Sequence, residues 1–390
     1  MWNNAAMLHR LDLQLHRAAN KPLDIIVRTA DPGSPSVRPF LLALSAVSPK
    51  WRHLYIEIQP ELFTPWMTSI RGRLQSLKSL HIINIGLPAL EFSGFEIAPK
   101  LKTLVVGPQR FSFNRFELPL NQITQLCWMS GALDYQPMFE VGLFLRRPMD
   151  ANIIRSARFG IHPEWTARYQ TRQYIPHAFV SENSTATFNH LTELEIWVTK
   201  SGNPSGIHHI LSHIRLPFPT LKKLTISPSG PNRTALSEFL LARSHQQPLK
   251  YISIPRVEMP PNEFSALLSS LTLLETLSFG VAGGMSNDFL AFFYPNRQGI
   301  IVANLRHLSL RPVAGADSTY HDQILLAVLE SRWKGEAINL RTRRVELSWP
   351  PQLISVDLDR EDLNRVSLGS RERLDQLRAE GLKVEFRGKW

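Results

Sequence analysis

Apolar residues recur along the chain at i, i+3 and i+5, in one short stretch after another. The clearest pair is FPTLKKLTIS, with Leu221, Leu224 and Ile226, and QPLKYISIP, with Leu249, Ile252 and Ile254. The same triplet stands at Trp51/Leu54/Ile56, Leu77/Leu80/Ile82, Leu101/Leu104/Val106 and Ile123/Leu126/Trp128. It returns at Leu191/Leu194/Ile196, Leu274/Leu277/Phe279 and Leu305/Leu308/Leu310, with weaker matches at Ile154/Ala157/Phe159 and Thr342/Val345/Leu347. Each triplet predicts a turn feeding a short strand whose alternate side chains enter a stacked core. Ahead of the first, PLDIIV alternates Leu23, Ile25 and Val27 as a buried strand does, and DPGSPSVRP is a loop because Pro and Gly sustain neither period.

The first positions 51, 77, 101 and 123 lie 26, 24 and 22 residues apart; 191, 221, 249, 274 and 305 lie 30, 28, 25 and 31 apart. These are the periods of leucine-rich repeats, whose L-x-x-L-x-L signature the triplets reproduce. Early connections such as GLPALEFSGFEIAP are too broken for long helices. Later ones, GIHHILSHI, TALSEFLLARSH, PNEFSALLSSL, NDFLAFFY and HDQILLAVLESRW, carry apolar residues at helical steps. Helices are also predicted in LHRLDLQLHRAAN, FLLALSAVSPKW and FEVGLFLRR, and in the charged stretch REDLNRVSLGSRERLDQLRAEG, with Gly381 as its stop and LKVEF as a last strand. The expected fold class is α/β: a leucine-rich-repeat solenoid, or horseshoe, with a parallel sheet on the concave side and helices and irregular segments on the convex side. Residues 1–50 are expected to form a leading, capping segment. An irregular array follows over 51–350, with an insertion at about 160–187, and 351–390 form a C-terminal helix and cap.

The 390 residues are 43% hydrophobic and 20% charged, which excludes a disordered chain. Lys and Arg number 44 against 33 Asp and Glu, for a net charge of +11. That balance favours acidic partners or nucleic acid. The charge is nonetheless spread: Arg341-Thr-Arg-Arg344 and Arg371-Glu-Arg373 are short or mixed with acid, and no long Lys/Arg stripe suggests a phosphate-tracking groove. A lone Cys127 excludes an internal disulfide framework and a multi-cysteine zinc site, and fits a reducing compartment. With no apolar run of 18 residues and no secretory leader pattern, a cytoplasmic or nuclear protein without a membrane partner is expected.

No catalytic motif is found. His209 and His213 have the i, i+4 spacing of zinc ligands, with His208 beside them, but no Glu follows the first His and no third ligand is evident. Asp357, Asp359, Glu361 and Asp362 lack the Gly turn and terminal Glu of a calcium loop. No nucleophile elbow, Walker loop or dinucleotide fingerprint occurs, so a non-enzyme without cofactor or metal is expected. Residues between the core positions face out of the sheet. Tyr55, His81, Glu195, Trp197, Lys223, Tyr251, His307, Arg311 and Arg344 are therefore candidate partner contacts, aromatic and Arg side chains being favoured in binding hot spots. WTARYQTRQY interleaves Trp165, Tyr169 and Tyr174 with Arg168 and Arg172; Trp165, Arg168 and Tyr169 join the candidates, as anchors for a protein or as stacking and phosphate groups for RNA.

HRLDLQLHRAANKPLDIIV, SPKWRHLYI, SIRGRLQSLKSLHI, FEIAPKLKTL and LRAEGLKVEF occur in that order, and together they make the chain resemble fungal F-box/leucine-rich-repeat proteins over nearly its whole length. The resemblance implies a non-catalytic scaffold similar to the substrate-receptor part of an SCF-type ubiquitin ligase, a monomer that holds a protein on its concave face. In that family the F-box, which docks a Skp-type adaptor, precedes the part matched here, and no LPxE-type start is found in this chain. The adaptor is thus an expected partner only with an upstream F-box. The alternatives are a basic RNA-associated repeat protein and a stand-alone repeat scaffold with no ligase link.

Overall fold

In the computed structural model, the described residues are 4–28, 37–58, 60–83, 93–107, 117–131, 153–162, 186–187, 189–198, 214–215, 219–227, 248–257, 259–281, 284–294, 301–311, 319–338, 345–348, 353–359 and 366–387. The chain forms two compact units. One comprises Met1–Leu191 and Val198–Leu216, the other Thr192–Trp197 and Pro217–Trp390.

In the first unit α1 (Asn4–Ala18) leads into β1 (Leu23–Arg28), then α2 (Arg38–Ala46), β2 (Trp51–Glu57) and α3 (Pro60–Ile70). The strands β3 (Ser79–Ile82), β4 (Thr103–Val106), β5 (Gln125–Gly131) and β6 (Ser156–His162) follow. These six strands pair in parallel in sequence order. The register sets like on like: Leu54 faces Leu80, Leu80 faces Leu104 and Leu104 faces Leu126, while Ile56, Ile82, Val106 and Trp128 form the next row. All eight are buried, as are the turn positions Trp51, Leu77, Leu101 and Ile123. A side chain of this kind, fully buried, contributes roughly 1.5–3 kcal/mol, and here it is buried by its counterparts one repeat away. The turn ahead of each strand is fixed by the backbone: Lys78 N–H donates to Arg52 O (2.8 Å), and Lys102 to Lys78, Thr124 to Lys102 and Arg155 to Thr124 each at 2.9 Å.

Helix α3 is not among the predicted elements. Phe63, Trp66, Met67 and Ile70 recur at helical steps and are buried, with Trp66 against Trp51 at 5.7 Å between ring centroids. Pro65 within the segment masks its helical character. The short strands β7 (Ala186–Thr187) and β9 (Ile214–Arg215) form a separate parallel pair. The predicted helices FEVGLFLRR and TALSEFLLARSH, and all but the last residue of GIHHILSHI, lie outside the described residues.

In the second unit β8 (Glu193–Val198), β10 (Lys223–Ser227), β11 (Tyr251–Val257), β12 (Thr276–Val281) and β13 (His307–Leu310) continue the parallel, like-on-like pattern. Between strands run α4 (Pro261–Ser270) and the short α5 (Asn287–Ala291); α6 (Asp322–Lys334) follows β13. The weak triplet at Thr342/Val345/Leu347 does not join the parallel sheet. Val345–Ser348 (β15) instead pairs antiparallel with Glu336–Ile338 (β14), just beyond α6. The place next to β13 belongs to β16 (Ser355–Asp359), whose own triplet, Leu353, Val356 and Leu358, is buried. Helix α7 (Leu368–Ala379) and β17 (Lys383–Arg387) complete the unit, β17 pairing in parallel with β16 as LKVEF predicts.

Two connections explain how the C-terminal helices are held. Asp322, in the first turn of α6, accepts from both the N–H (2.9 Å) and the Oγ (2.6 Å) of Ser367, the N-cap of α7. Gly381 stops α7 with φ of 109°, a backbone shape that side chains resist, and faces the Trp333 ring. Deeper in the unit, Arg332 is 1% exposed and donates to Phe293 O (2.7 Å), Val302 O (3.1 Å) and Ile301 O (2.5 Å). Burial pulls its guanidinium down to about 10, which leaves it charged at neutral pH. Val302 has φ of 50°, a strained conformation for a β-branched residue.

Leu224 is fully buried between Leu194 and Ile252. Leu224→Asp places a carboxylate among stacked repeats at a cost of several kcal/mol, and the circular-dichroism melt is expected to lose the second unit's transition; a melt like that of wild type counts against the repeat stacking. The hydrogen bonds from Ser367 hold the Asp322 carboxyl at about 2, below its ordinary 3.8. Its stabilisation is therefore complete above pH 3.8 and lost as pH falls through 2. Asp322→Asn is expected to lower stability at pH 7 by roughly 1 kcal/mol, with the difference from wild type vanishing in thermal melts near pH 2.

Candidate functional site

The alternate residues of each strand that do not enter the core form the outward face. In the first unit Tyr55 and His81 occupy equivalent positions on β2 and β3, with rings 6.2 Å apart and tilted by 46°. Arg28 from β1 lies over Tyr55, 4.7 Å from the ring centre, and its Nε stands 3.4 Å from Glu57 Oε2. The Tyr55 hydroxyl donates to the same Glu57 oxygen at 3.0 Å. His81 Nε2 and Ser79 Oγ share a hydrogen bond of 3.0 Å. Burial pushes the His81 imidazole below its ordinary 6.5, and the nearby His53 adds to the shift. The result is a half-buried cluster in which each ring is oriented by a charged or polar neighbour.

In the second unit Lys223 and Tyr251 are register partners, with the Lys223 ammonium 5.3 Å from the Tyr251 ring centre. His307 Nδ1 shares a 2.7 Å hydrogen bond with Ser355 Oγ, one strand on. Arg311, half-buried, donates from Nε to Ser278 Oγ at 2.7 Å, and its Nη nitrogens have no protein acceptor among the described residues. A guanidinium anchored by Nε alone keeps its fork preorganised for a carboxylate or phosphate. Glu195 lies on β8 opposite Thr225, and the Trp197 backbone lies opposite Ser227.

The structure thus pairs Tyr55 with His81 and Lys223 with Tyr251, and sets His307 at the start of β13 and Arg311 just past its end. Arg344, Trp165, Arg168, Tyr169 and the histidines at 208, 209 and 213 lie outside the described residues. Among the described residues no group of three or more His, Cys, Asp or Glu side chains is placed to hold a metal ion, and no helix is long and apolar enough to cross a membrane. Asp357 and Asp359 sit on β16 as alternate residues of a strand.

Two features of the site are not visible along the sequence. The orienting partners Arg28, Glu57, Ser278 and Ser355 come from other strands or other strand positions, so only the register identifies them. The second is a row of basic residues at the start of the first unit's strands: Arg52, Lys78, Lys102 and Arg155, interrupted by Thr124 and joined by the backbone ladder described above. Its one signal in the chain is that each basic residue follows the first core position of its triplet. No protein-family model matches the chain, and no curated protein matches it.

The His81 ring is expected to titrate below 6.5 in an NMR pH series of its ring protons. His53→Ala should move that midpoint upward but leave it below the ordinary value, because burial is the larger cause. A midpoint unmoved by His53→Ala would remove the coupling between the two rings.

Proposed function

We propose that the chain is a non-catalytic recognition scaffold, a leucine-rich-repeat solenoid that binds a protein partner through the outward side chains of its parallel strands. The observation that supports this reading best is the oriented aromatic and charged set on those strands, above all Tyr251 with Lys223 and Arg311 with Ser278. Backbone donors and acceptors within the paired strands are spent on neighbouring strands, so the outward face offers a partner side chains alone. Rings held by neighbours lose little freedom on binding, which is what makes aromatic and Arg residues effective anchors.

The resemblance to fungal F-box/leucine-rich-repeat proteins adds a role to this scaffold: the substrate-receptor part of an SCF-type ubiquitin ligase, working in the cytoplasm or nucleus. The Skp-type adaptor belongs to that role only through an F-box, which none of the residues here supplies.

Affinity capture with mass spectrometry on the native gene product tests both clauses. Wild type is compared with Tyr251→Ala/His307→Ala/Arg311→Ala, a variant whose substitutions lie outside the core. The partner set is expected to fall at least about tenfold in the variant, as loss of one or more hot-spot anchors gives, while the melting curve stays unchanged. Equal capture by the two proteins would reject this face as the binding surface. Capture without any Skp-type adaptor would remove the ligase clause alone.

A further inference from the structure

Residues that lie 22–31 positions apart in sequence become neighbours when the strands stack in register. In the first unit the residue after the first core position is Arg52, Lys78, Lys102, Thr124 and Arg155 in successive repeats. Each donates its N–H to the carbonyl of the one before, so their side chains begin about 4.8 Å apart along the edge where the strands start. Lys100, in the turn ahead of β4, adds a further charge beside Lys102. Arg52 is tied to Asp24 by two hydrogen bonds of 3.0 and 3.1 Å. Lys78, Lys100 and Lys102 are exposed, and among the described residues no carboxylate or hydrogen-bond acceptor holds their ammonium groups.

The corresponding row of the second unit reads Thr192, Lys222, Lys250, Glu275, Arg306 and Ile354. There Glu275 stands within the row and takes up Lys250 at 2.6 Å, and that pairing lowers the Glu275 carboxyl below its ordinary value. On the first edge the ion pair stands at the start of the row, between Arg52 and Asp24, and leaves the lysines out; on the second an acid, Glu275, stands inside the row and takes up one of its lysines.

We propose that the strand-start edge of the first unit is a binding site for single-stranded nucleic acid, held through its phosphates by Lys78, Lys100 and Lys102. The ladder already uses the main-chain N–H groups of Lys78 and Lys102. A peptide would find no backbone partner in the ladder for strand addition, the means by which extended peptides gain affinity on sheets. A phosphodiester chain needs none, because it carries a charge at every backbone repeat. A single strand can bend to bring successive phosphates onto a straight row, whereas a duplex winds its phosphates away from it. Lysine suits such a row because it acts as a point charge without demanding a fixed hydrogen-bond geometry. This site is separate from the outward-face residues assigned above to a protein partner, and it stands or falls independently of them.

The test is fluorescence anisotropy of the full chain with a labelled oligouridylate of about twenty nucleotides, at salt from about 50 to 200 mM. Three phosphate contacts at about 0.7 each predict that log K falls against log salt with a slope near −2. Lys78→Gln/Lys100→Gln/Lys102→Gln is expected to weaken binding at the lowest salt by about tenfold or more and to flatten the slope, with an unchanged melting curve. Lys222→Gln/Lys250→Gln should leave both unchanged. No binding at about 50 mM salt, an unaltered affinity in the triple variant, or displacement of the oligonucleotide more readily by polyglutamate than by unlabelled oligouridylate would each overturn the proposal.

Discussion

Parallel register is the constraint on which everything else in the two units depends. One strand and its connection cannot bury three apolar residues by themselves, so Leu224 is a core residue only because Leu194 and Ile252 lie beside it. The backbone bond from the start of each strand to the carbonyl of the strand before fixes that alignment to a single residue. A slip of one position would turn every leucine to water and every outward ring into the core. The hydrophobic rows and the hydrogen-bond ladder therefore enforce the same answer, the first by area and the second by geometry.

The same register determines what the surface can present. Once the first, fourth and sixth positions of a triplet are committed to the core, the third and fifth point outward and the second lines the strand-start edge. Side chains at those positions stand outside the leucine rows, although Ser79, Ser253 and Ser278 among them are buried, and the chain uses them differently in its two units. Rings and their orienting partners occupy the outward positions of both, whereas the edge row holds an acid, Glu275, in one unit and none from Arg52 to Arg155 in the other. Charge on this molecule is thus organised by repeat position more than by sequence neighbourhood.

That organisation explains what could be read from the chain and what could not. The triplets are local patterns with a fixed spacing, so strands from Trp51 to Leu310 and the last strand at Lys383 are legible in sequence. Helix α3 is hidden by Pro65, although Phe63, Trp66, Met67 and Ile70 keep the helical step. Leu353, Val356 and Leu358 fit the triplet as well as any, but they follow the preceding triplet at 305 by 48 residues and the weaker match at Val345 stands in between. Outward candidates such as Tyr55, Lys223, Tyr251 and Arg311 follow from strand alternation alone. Their partners do not, and neither does the lysine edge, because no window of sequence contains two of its ladder members. Only stacking converts a residue per repeat into a continuous row.

Arg332 departs from the nearest-neighbour logic of the stack. Its guanidinium is satisfied by three carbonyls that lie 30 to 39 residues earlier in the chain, and one of them belongs to the strained Val302. An ion of this kind can leave water only when all of its acceptors are in place, and Val302 has little reason to hold its conformation before the arginine arrives. The segment after α5 and the helix α6 must therefore close together, as one cooperative unit that spans two repeats. Along this part of the array, order is not passed from each repeat to the next. The later element completes the earlier one, and a nascent chain emerging as far as β13 would still be waiting for its lock.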